Sequence, residues 1–191
     1  LQIEIEHVDL GGGFAVNYET STNNLDIQGI GELVNKIFKQ SIYKVSFEPG
    51  RYIVAKSGAI ITKILTSKEN GGINFLIVDA GMQTLIRPAM YGAIHRVEAL
   101  NNLKNQKINY TIAGPICESS DIIAKNILLP KQNINDYLLI NDVGAYGAVM
   151  ASNYNSRGIP AEVLVNKNKY FTIHKEEKIS EIIKRDKVPN W

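Results

Sequence analysis

Residues 114–121 read Gly-Pro-Ile-Cys-Glu-Ser-Ser-Asp and place the one cysteine of the chain, Cys117, directly before Glu118. A thiol held close to a substrate can donate a proton, and a neighbouring carboxylate can hold a substrate ammonium group. The alternative is an inert cysteine that only fills space in the core. A nucleophilic cysteine normally has a histidine partner, and none lies nearby in the sequence. The stretch alone leaves both interpretations open.

Two glycine-bearing loops have the composition of anion sites. Residues 11–13 are three consecutive glycines after an alternating stretch, and glycines let backbone N–H groups approach a phosphate closely. Residues 48–51 read Glu-Pro-Gly-Arg. Here Glu48 can contact a cationic ring nitrogen, and Arg51 can form a bidentate pair with a phosphate or carboxylate. Taken singly, each loop is better explained as a tight turn, the second with a surface ion pair.

Three further side chains are candidates for substrate contacts. Arg87 and Tyr91 lie four residues apart around a proline, and an arginine there can hold a carboxylate. Tyr146 lies among small residues at a strand end, from which it can reach into a cleft. The structural alternatives are a surface arginine, a buried aromatic ring and a core tyrosine with a hydrogen-bonded hydroxyl. The three histidines lack metal-ligand spacing, so no metal site is predicted.

The elements around these residues predict two different architectures in one chain. Residues 2–10 alternate like a strand, residues 27–40 have helical periodicity with Asp26 as N-cap, and residues 43–51 read as a second strand. Strand, helix and strand in this order are typical of a parallel sheet or a (β/α) barrel. The carboxyl ends of barrel strands bind phosphate and carry the chemistry, so we expect the two glycine loops to meet.

From residue 52 onward, β-branched runs separated by turns, one of them the Glu-Asn-Gly-Gly of residues 69–72, predict a mainly β region. A helical pattern returns only at residues 176–186. We therefore predict an α/β plus all-β chain. Residues 1–56 are the last strands of a (β/α)8 barrel, and residues 57–191 are a C-terminal β-sandwich or β-barrel domain with a final helix.

Composition bounds the remaining function classes. The 191 residues are 45% apolar and 21% charged, enough for a core. A formal net charge of +2 gives no reason to expect a nucleic acid or an anionic membrane as partner. One cysteine fits a reducing compartment, which predicts a cytoplasmic protein. The chain starts without Met inside a strand-like alternation, so we expect a piece of a longer protein.

The ordered motifs GGGF, EPGR, DAGM, RPAMYGAIH, GPICESSD and GAYG resemble those of the diaminopimelate decarboxylases over nearly the whole chain. Related ornithine and arginine decarboxylases share the two glycine loops but lack the Arg-Pro-Ala-Met-Tyr run. The resemblance implies pyridoxal 5'-phosphate as cofactor on a barrel-plus-β fold. It also implies conversion of meso-2,6-diaminopimelate to L-lysine and CO₂ by a homodimer with shared active sites.

The resemblance also implies a role for each matching residue. Cys117 matches the proton donor, on a loop that reaches the site of the neighbouring subunit. The matches to cofactor contacts are Gly11, Gly12, Gly13, Glu48, Pro49, Gly50, Arg51 and Tyr146. The matches to substrate contacts are Arg51, Arg87, Tyr91, Glu118 and Tyr146.

One expected feature has no match, because the family's Schiff-base lysine lies on an earlier barrel strand. Four lysines qualify only by residue type, namely Lys36, Lys44, Lys56 and Lys63. We therefore expect the isolated chain to be inactive, and residues 1–56 to need partners for their apolar faces. The rival interpretations are a decarboxylase of the same fold acting on ornithine, arginine or carboxynorspermidine, and a non-catalytic dimerisation module.

Overall fold

The structure is a computed structural model that describes residues 4–20, 25–101 and 106–191. It begins with a β–α–β unit: β1 (His7–Asp9), α1 (Ile27–Phe38) and β2 (Lys44–Ser46), with β1 and β2 parallel. Asp26 caps α1, because its carboxylate accepts a 2.8 Å hydrogen bond from the N–H of Gly29. The predicted unit is confirmed with shorter strands, and residues 2 and 3 of the first predicted strand lie outside the described residues.

The segment after the second glycine loop is helical, which the sequence did not predict. Helix α2 spans Gly50–Val54 and continues as a 3-10 turn over Ala55–Ser57. We expected a strand from residue 52, and that prediction was wrong. The β-branched composition favoured a strand, but the Ser57 hydroxyl donates 2.7 Å to the carbonyl of Val54 and closes a helical turn. The chain becomes extended only at Gly58.

Six strands form the central sheet, in the order β5-β8-β3-β4-β6-β7. They are β3 (Ile60–Asn70), β4 (Ile73–Val78), β5 (Val97–Ala99), β6 (Lys107–Ala113), β7 (Ile122–Pro130) and β8 (Tyr137–Ile140), with helix α3 (Arg87–Tyr91) before β5. Strands β4 and β6 are parallel, and the other described pairs are antiparallel. The predicted turn at residues 69–72 is confirmed, whereas β5 and β7 were not predicted.

The two edge strands of this sheet, β5 and β7, contact each other, so the sheet curls into a nearly closed barrel. Apolar side chains from every strand fill its interior, because successive residues of a strand point to opposite faces. The largest fully buried aliphatic side chains are Ile64, Leu76, Val78, Leu85, Ile112, Leu138 and Ile140. This observation confirms the predicted class, α/β plus all-β.

The C-terminal segment is an antiparallel hairpin of β9 (Glu162–Asn166) and β10 (Lys169–His174), followed by helix α4 (Ile179–Ile183). Lys167 takes a φ of +55° and turns the chain between these two strands. The final helix is shorter than predicted. In α1, Leu33 and Ile37 are exposed, as an apolar face that lacks its partner would be. Within the described residues, no helix is long and apolar enough to cross a bilayer.

Candidate active site

The two glycine loops lie side by side because β1 and β2 are parallel neighbours. The N–H of Glu48 donates 2.9 Å to the carbonyl of Gly11. At Gly12 the approach is closer still, since a Cβ there would lie 2.8 Å from the carbonyl oxygen of Glu48. Real Cβ atoms essentially never come so near, so any side chain at this position would push the two loops apart. Glycine at residue 12 is therefore a condition for the loops to meet.

A carboxylate at the end of β1 holds the base of the first loop. The Oδ2 of Asp9 accepts a 2.6 Å bond from the hydroxyl of Ser46 on β2, and its Oδ1 accepts a 2.6 Å bond from the N–H of Gly11. These two hydrogen bonds lower the pKa of Asp9 below its ordinary value, and the bond from Ser46 has the larger effect. The ionised carboxylate thus ties both strands to the glycine turn.

A cavity of about 210 Å³ opens where the loops meet. Its lining residues are Gly12, Gly13, Phe14, Glu48, Pro49, Gly50, Arg51 and Tyr146. Seven of the eight predicted cofactor contacts thus surround one cavity, and the eighth, Gly11, bonds to Glu48 just outside it. Backbone N–H groups, a guanidinium and a phenol are the donors that a phosphate requires. A larger cavity of about 730 Å³ beside α4 is lined by none of the predicted site residues.

Tyr146 reaches this cavity from the loop after β8. Its φ is +61°, the left-handed region that an aromatic residue rarely adopts, and its side chain is half-exposed. The N–H of Gly144 donates 2.9 Å to the carbonyl of Ala55, and a Cβ at Gly144 would collide with the carbonyl of Val54. The loop is thereby fixed to the helical turn that carries Arg51. The half-exposed side chain of Tyr146 contradicts the alternative of a core tyrosine.

Lys56 joins three segments around the cavity. Its Nζ donates 2.8 Å to the carbonyl of Asn17 and 2.9 Å to that of Thr20, and it lies 3.9 Å from the Oδ1 of Asp142. The first two residues follow the glycine loop, and Asp142 precedes Tyr146. Lys56 therefore serves as a structural tie between the loops, and the described residues that line the cavity include no lysine that could take the role expected of a Schiff-base lysine.

Cys117 and Glu118 lie at the tip of the loop that connects β6 and β7. Below them Asp121 is only 2% exposed and accepts hydrogen bonds from the N–H groups of Met82 (2.6 Å) and Ile116 (2.8 Å). Burial raises the pKa of Asp121, although the two hydrogen bonds act in the opposite direction. The loop is anchored inside while both tip residues are exposed. The alternative of a cysteine buried in the core is therefore wrong.

Arg87 and Tyr91 lie at opposite ends of α3, and neither side chain has the exposure that its structural alternative predicts. Arg87 is 6% exposed and Tyr91 is 65% exposed, so neither a surface arginine nor a buried aromatic describes them. The guanidinium of Arg87 lies 3.0 Å from the Nε2 of His95 and 5.0 Å from the ring of Tyr18. Sequence reasoning missed His95, although it ends the same RPAMYGAIH run.

The structure thus divides the predicted residues into two groups. The cofactor candidates surround the cavity, whereas the residues that line it, as far as the chain is described, do not include Arg87, Tyr91, Cys117 or Glu118. The turn before α3 is bonded to the cysteine loop. The N–H of Met82, which lies five residues before Arg87, donates to the carboxylate of Asp121. A cavity between two parallel strands, lined by donors suited to a phosphate and accompanied by a barrel-like sheet, is typical of proteins that bind a phosphorylated cofactor.

The chain belongs to the pyridoxal-dependent decarboxylase family. Its residues 29–144 match the family's C-terminal sheet domain, and residues 1–55 match its pyridoxal binding domain. The first match alone covers more than half of the chain.

Individual relatives agree with this assignment. The diaminopimelate decarboxylase of Archaeoglobus fulgidus is 39% identical over 197 residues, which cover 100% of this chain and 47% of the relative. The structure of the M. jannaschii diaminopimelate decarboxylase with L-lysine has a TM-score of 0.87 at 38% identity, covering 98% of this chain and 44% of the other. The lysine/ornithine decarboxylase of Vibrio vulnificus has a TM-score of 0.69 at 29% identity, covering 78% and 40%. The chain spans about half the length of the curated relatives it matches.

Proposed function

We propose that this chain is the C-terminal portion of an enzyme that decarboxylates meso-2,6-diaminopimelate to L-lysine and CO₂ with pyridoxal 5'-phosphate. One observation carries the proposal: the cavity brings Gly12, Gly13, Glu48, Arg51 and Tyr146 together although they are distant in sequence. Identities of 34–39% to diaminopimelate decarboxylases support this substrate over ornithine. The boundary after residue 56 between barrel and β domain is part of this proposal.

The cavity suits the phosphate of the cofactor. The N–H groups of Gly12 and Gly13 have no acceptor among the described residues, and Arg51 adds a positive charge at the exposed edge. Glu48 would face the pyridine nitrogen, where a carboxylate keeps a proton on the ring. When bound, pyridoxal phosphate supplies an electron sink for the negative charge left at the α-carbon as CO₂ departs.

The remaining candidates bind the substrate and complete the proton balance. Arg87 would hold a substrate carboxylate together with Tyr91, and Glu118 would hold the distal ammonium group. Loss of CO₂ leaves the bonding electron pair at the α-carbon, and Cys117 would donate the proton on its Sγ to that carbon. The thiolate then regains a proton from water, so each turnover consumes one proton and releases one CO₂.

We propose a homodimer in which each copy lends its cysteine loop to the other. The support is geometric: Cys117 and Glu118 are exposed, and neither lines the cavity in the described part of their own chain. A free, exposed thiol in a reactive position also suits a reducing compartment, so we place the enzyme in the cytoplasm.

Subunit mixing tests the shared site. The complete polypeptide with Cys117→Ala and the one with Arg51→Ala should each be nearly inactive. In a one-to-one mixture, half of the dimers are mixed and contain one intact site of two, so about a quarter of normal activity should return. No recovery in dimers shown to be mixed would contradict the shared site.

Comparison of substrates tests the activity. We expect CO₂ release from meso-diaminopimelate to exceed release from ornithine, arginine and carboxynorspermidine. Arg87→Ala should weaken the dicarboxylate substrate far more than the others, whereas Arg96→Ala, which removes a surface pair with Glu98, should affect none of them. Preference for ornithine would favour the rival decarboxylases, and absence of turnover on all four substrates would favour a non-catalytic module.

A further inference from the structure

Arg87 and His95 form a buried pair whose hydrogen bonds fix the protonation of the imidazole. His95 is 1% exposed, with its Nε2 3.0 Å from the Nη1 of Arg87 and its Nδ1 3.0 Å from the carbonyl oxygen of Asn141. An arginine can only donate, and a carbonyl can only accept. Nε2 is therefore the acceptor and Nδ1 carries the hydrogen, so His95 is neutral in one defined tautomer.

The groups around His95 favour this neutral state. Burial is the largest cause that lowers the pKa of His95 below its ordinary value of 6.5. The positive charge of Arg87 lowers this pKa further. The carbonyl of Asn141 and the carboxylate of Asp142 act in the opposite direction, and Lys56 lies 3.9 Å from that carboxylate. The uncharged ring of Tyr18 packs edge-on at 5.2 Å.

Arg87 is consequently held from two sides. Its Nη1 donates to His95, and its guanidinium lies 5.0 Å from the centre of the Tyr18 ring. As far as the chain is described, His95 is the hydrogen-bond partner of one of the five N–H donors of Arg87, so the other four are open to a ligand that reaches this buried side chain. A guanidinium whose plane is fixed in this way loses little freedom when it binds a carboxylate.

We propose that His95, through its unprotonated Nε2, is a positioning residue that orients Arg87 toward a substrate carboxylate. The inference rests on the proposed function, in which Arg87 binds diaminopimelate. It also has a consequence for pH. A proton on Nε2 would turn this atom from an acceptor into a donor that faces the Nη1 of Arg87. The hydrogen bond that holds Arg87 would be lost, so substrate affinity should fall on acidification.

The sign of this effect follows from the direction of the pKa shift. A base with a lowered folded pKa stabilises the fold through its neutral form. The contribution is therefore fully present above pH 6.5 and is lost as the pH falls toward and through the folded pKa. The KM for diaminopimelate reports the folded enzyme, so it should rise as the pH falls through the lowered folded pKa of His95, with a smaller change in kcat.

Two amide variants of the complete enzyme separate the two nitrogens of His95. In His95→Gln, the amide oxygen can take the place of Nε2 and accept from Arg87. In His95→Asn, the shorter amide can keep only the bond to the carbonyl of Asn141. We expect His95→Gln to keep its KM within about twofold and to lose the acid dependence. His95→Asn should raise KM about tenfold or more, because it removes one charge-assisted hydrogen bond to Arg87.

The outcomes distinguish this inference from the function on which it rests. Equal KM values for both variants, with melting temperatures that show both are folded, would overturn the positioning role and leave the decarboxylase standing. If Arg87→Ala leaves KM for diaminopimelate unchanged, Arg87 does not bind the substrate; its proposed role and the positioning role of His95 then both fail, while the decarboxylase activity stands. Nitrogen NMR of His95 gives a readout without turnover. We expect the hydrogen on Nδ1, and a pKa that rises in Arg87→Ala; a hydrogen on Nε2 would refute the inference.

Discussion

Asp121 provides a test of how the cysteine loop is held. Its carboxylate accepts the N–H groups of Ile116, within the loop, and of Met82, in the turn before α3, at 2.8 and 2.6 Å. Replacement by alanine removes both acceptors in a place that water hardly reaches, since Asp121 is 2% exposed. One buried donor and one partly buried donor would then lose their acceptor, and the exposed tip with Cys117 would lose its anchor.

The expected cost follows from these two bonds. A hydrogen bond to a charged acceptor contributes ~1.5–3 kcal/mol, which gives about 3–6 kcal/mol for the pair. Burial raises the pKa of Asp121, so the ionised carboxylate carries a desolvation cost that the variant no longer has. We therefore expect Asp121→Ala to lower the free energy of unfolding by about 2–4 kcal/mol at neutral pH.

Denaturant titration of the complete polypeptide measures this loss, and the alkylation rate of Cys117 by iodoacetamide reports on the loop itself. The matched control is Asp136→Ala, because Asp136 also accepts two hydrogen bonds, from the N–H of Asn133 at 2.7 Å and from the side-chain amide of Asn101 at 2.8 Å, but is only partly buried. It should cost less than about 1 kcal/mol and leave alkylation unchanged. The reasoning is refuted if Asp121→Ala unfolds like the control and its thiol reacts at the unaltered rate.

Three further substitutions test other parts of the molecule. Gly12→Ala should lower pyridoxal phosphate affinity about tenfold in a fluorescence titration, because its Cβ would collide with the second glycine loop; Gly31→Ala, with no atom within 4 Å, should not. Tyr146→Asn should raise stability by ~0.5–1 kcal/mol in thermal unfolding while abolishing turnover, because asparagine tolerates the positive φ; Tyr137→Asn in β8 should lower stability instead. Glu177 has a pKa lowered chiefly by its hydrogen bond from Asn153. Its stabilisation is thus complete above pH 4.5 and lost as pH falls through the lowered pKa, and Glu177→Gln should remove this acid transition from a pH titration of unfolding.

The parts of the fold that were predictable depend on local patterns. The apolar spacing of α1 with Asp26 before it, and the Gly71-Gly72 turn between β3 and β4, need only neighbouring residues and were found. The helical turn at 50–57 was missed because β-branched residues there favour a strand. Strand β7 was missed because its apolar run lacks clean alternation.

The candidate site shows the same division. Glycine loops and a cysteine beside a glutamate are visible as motifs, and the position of the two loops follows from the parallel β1–β2 pair. The roles of Asp121 and His95 were not visible, because they arise from burial and from contacts between distant residues. Asp121 and Met82 are 39 residues apart, and His95 and the carbonyl of Asn141 are 46 apart. A single sequence carries no signal for such pairings.

The placement of the thiol constrains how chemistry can occur. A proton donor must come within hydrogen-bond distance of the atom that receives the proton. The loop that buries Ile116 and Asp121 turns Cys117 outward. The described residues that line the cavity between the two glycine loops include no cysteine. An inward swing of that loop would break the two hydrogen bonds that Asp121 accepts from Ile116 and Met82. Under the proposed function, proton donation by Cys117 would therefore need a second copy of the chain that brings the thiol to a cavity.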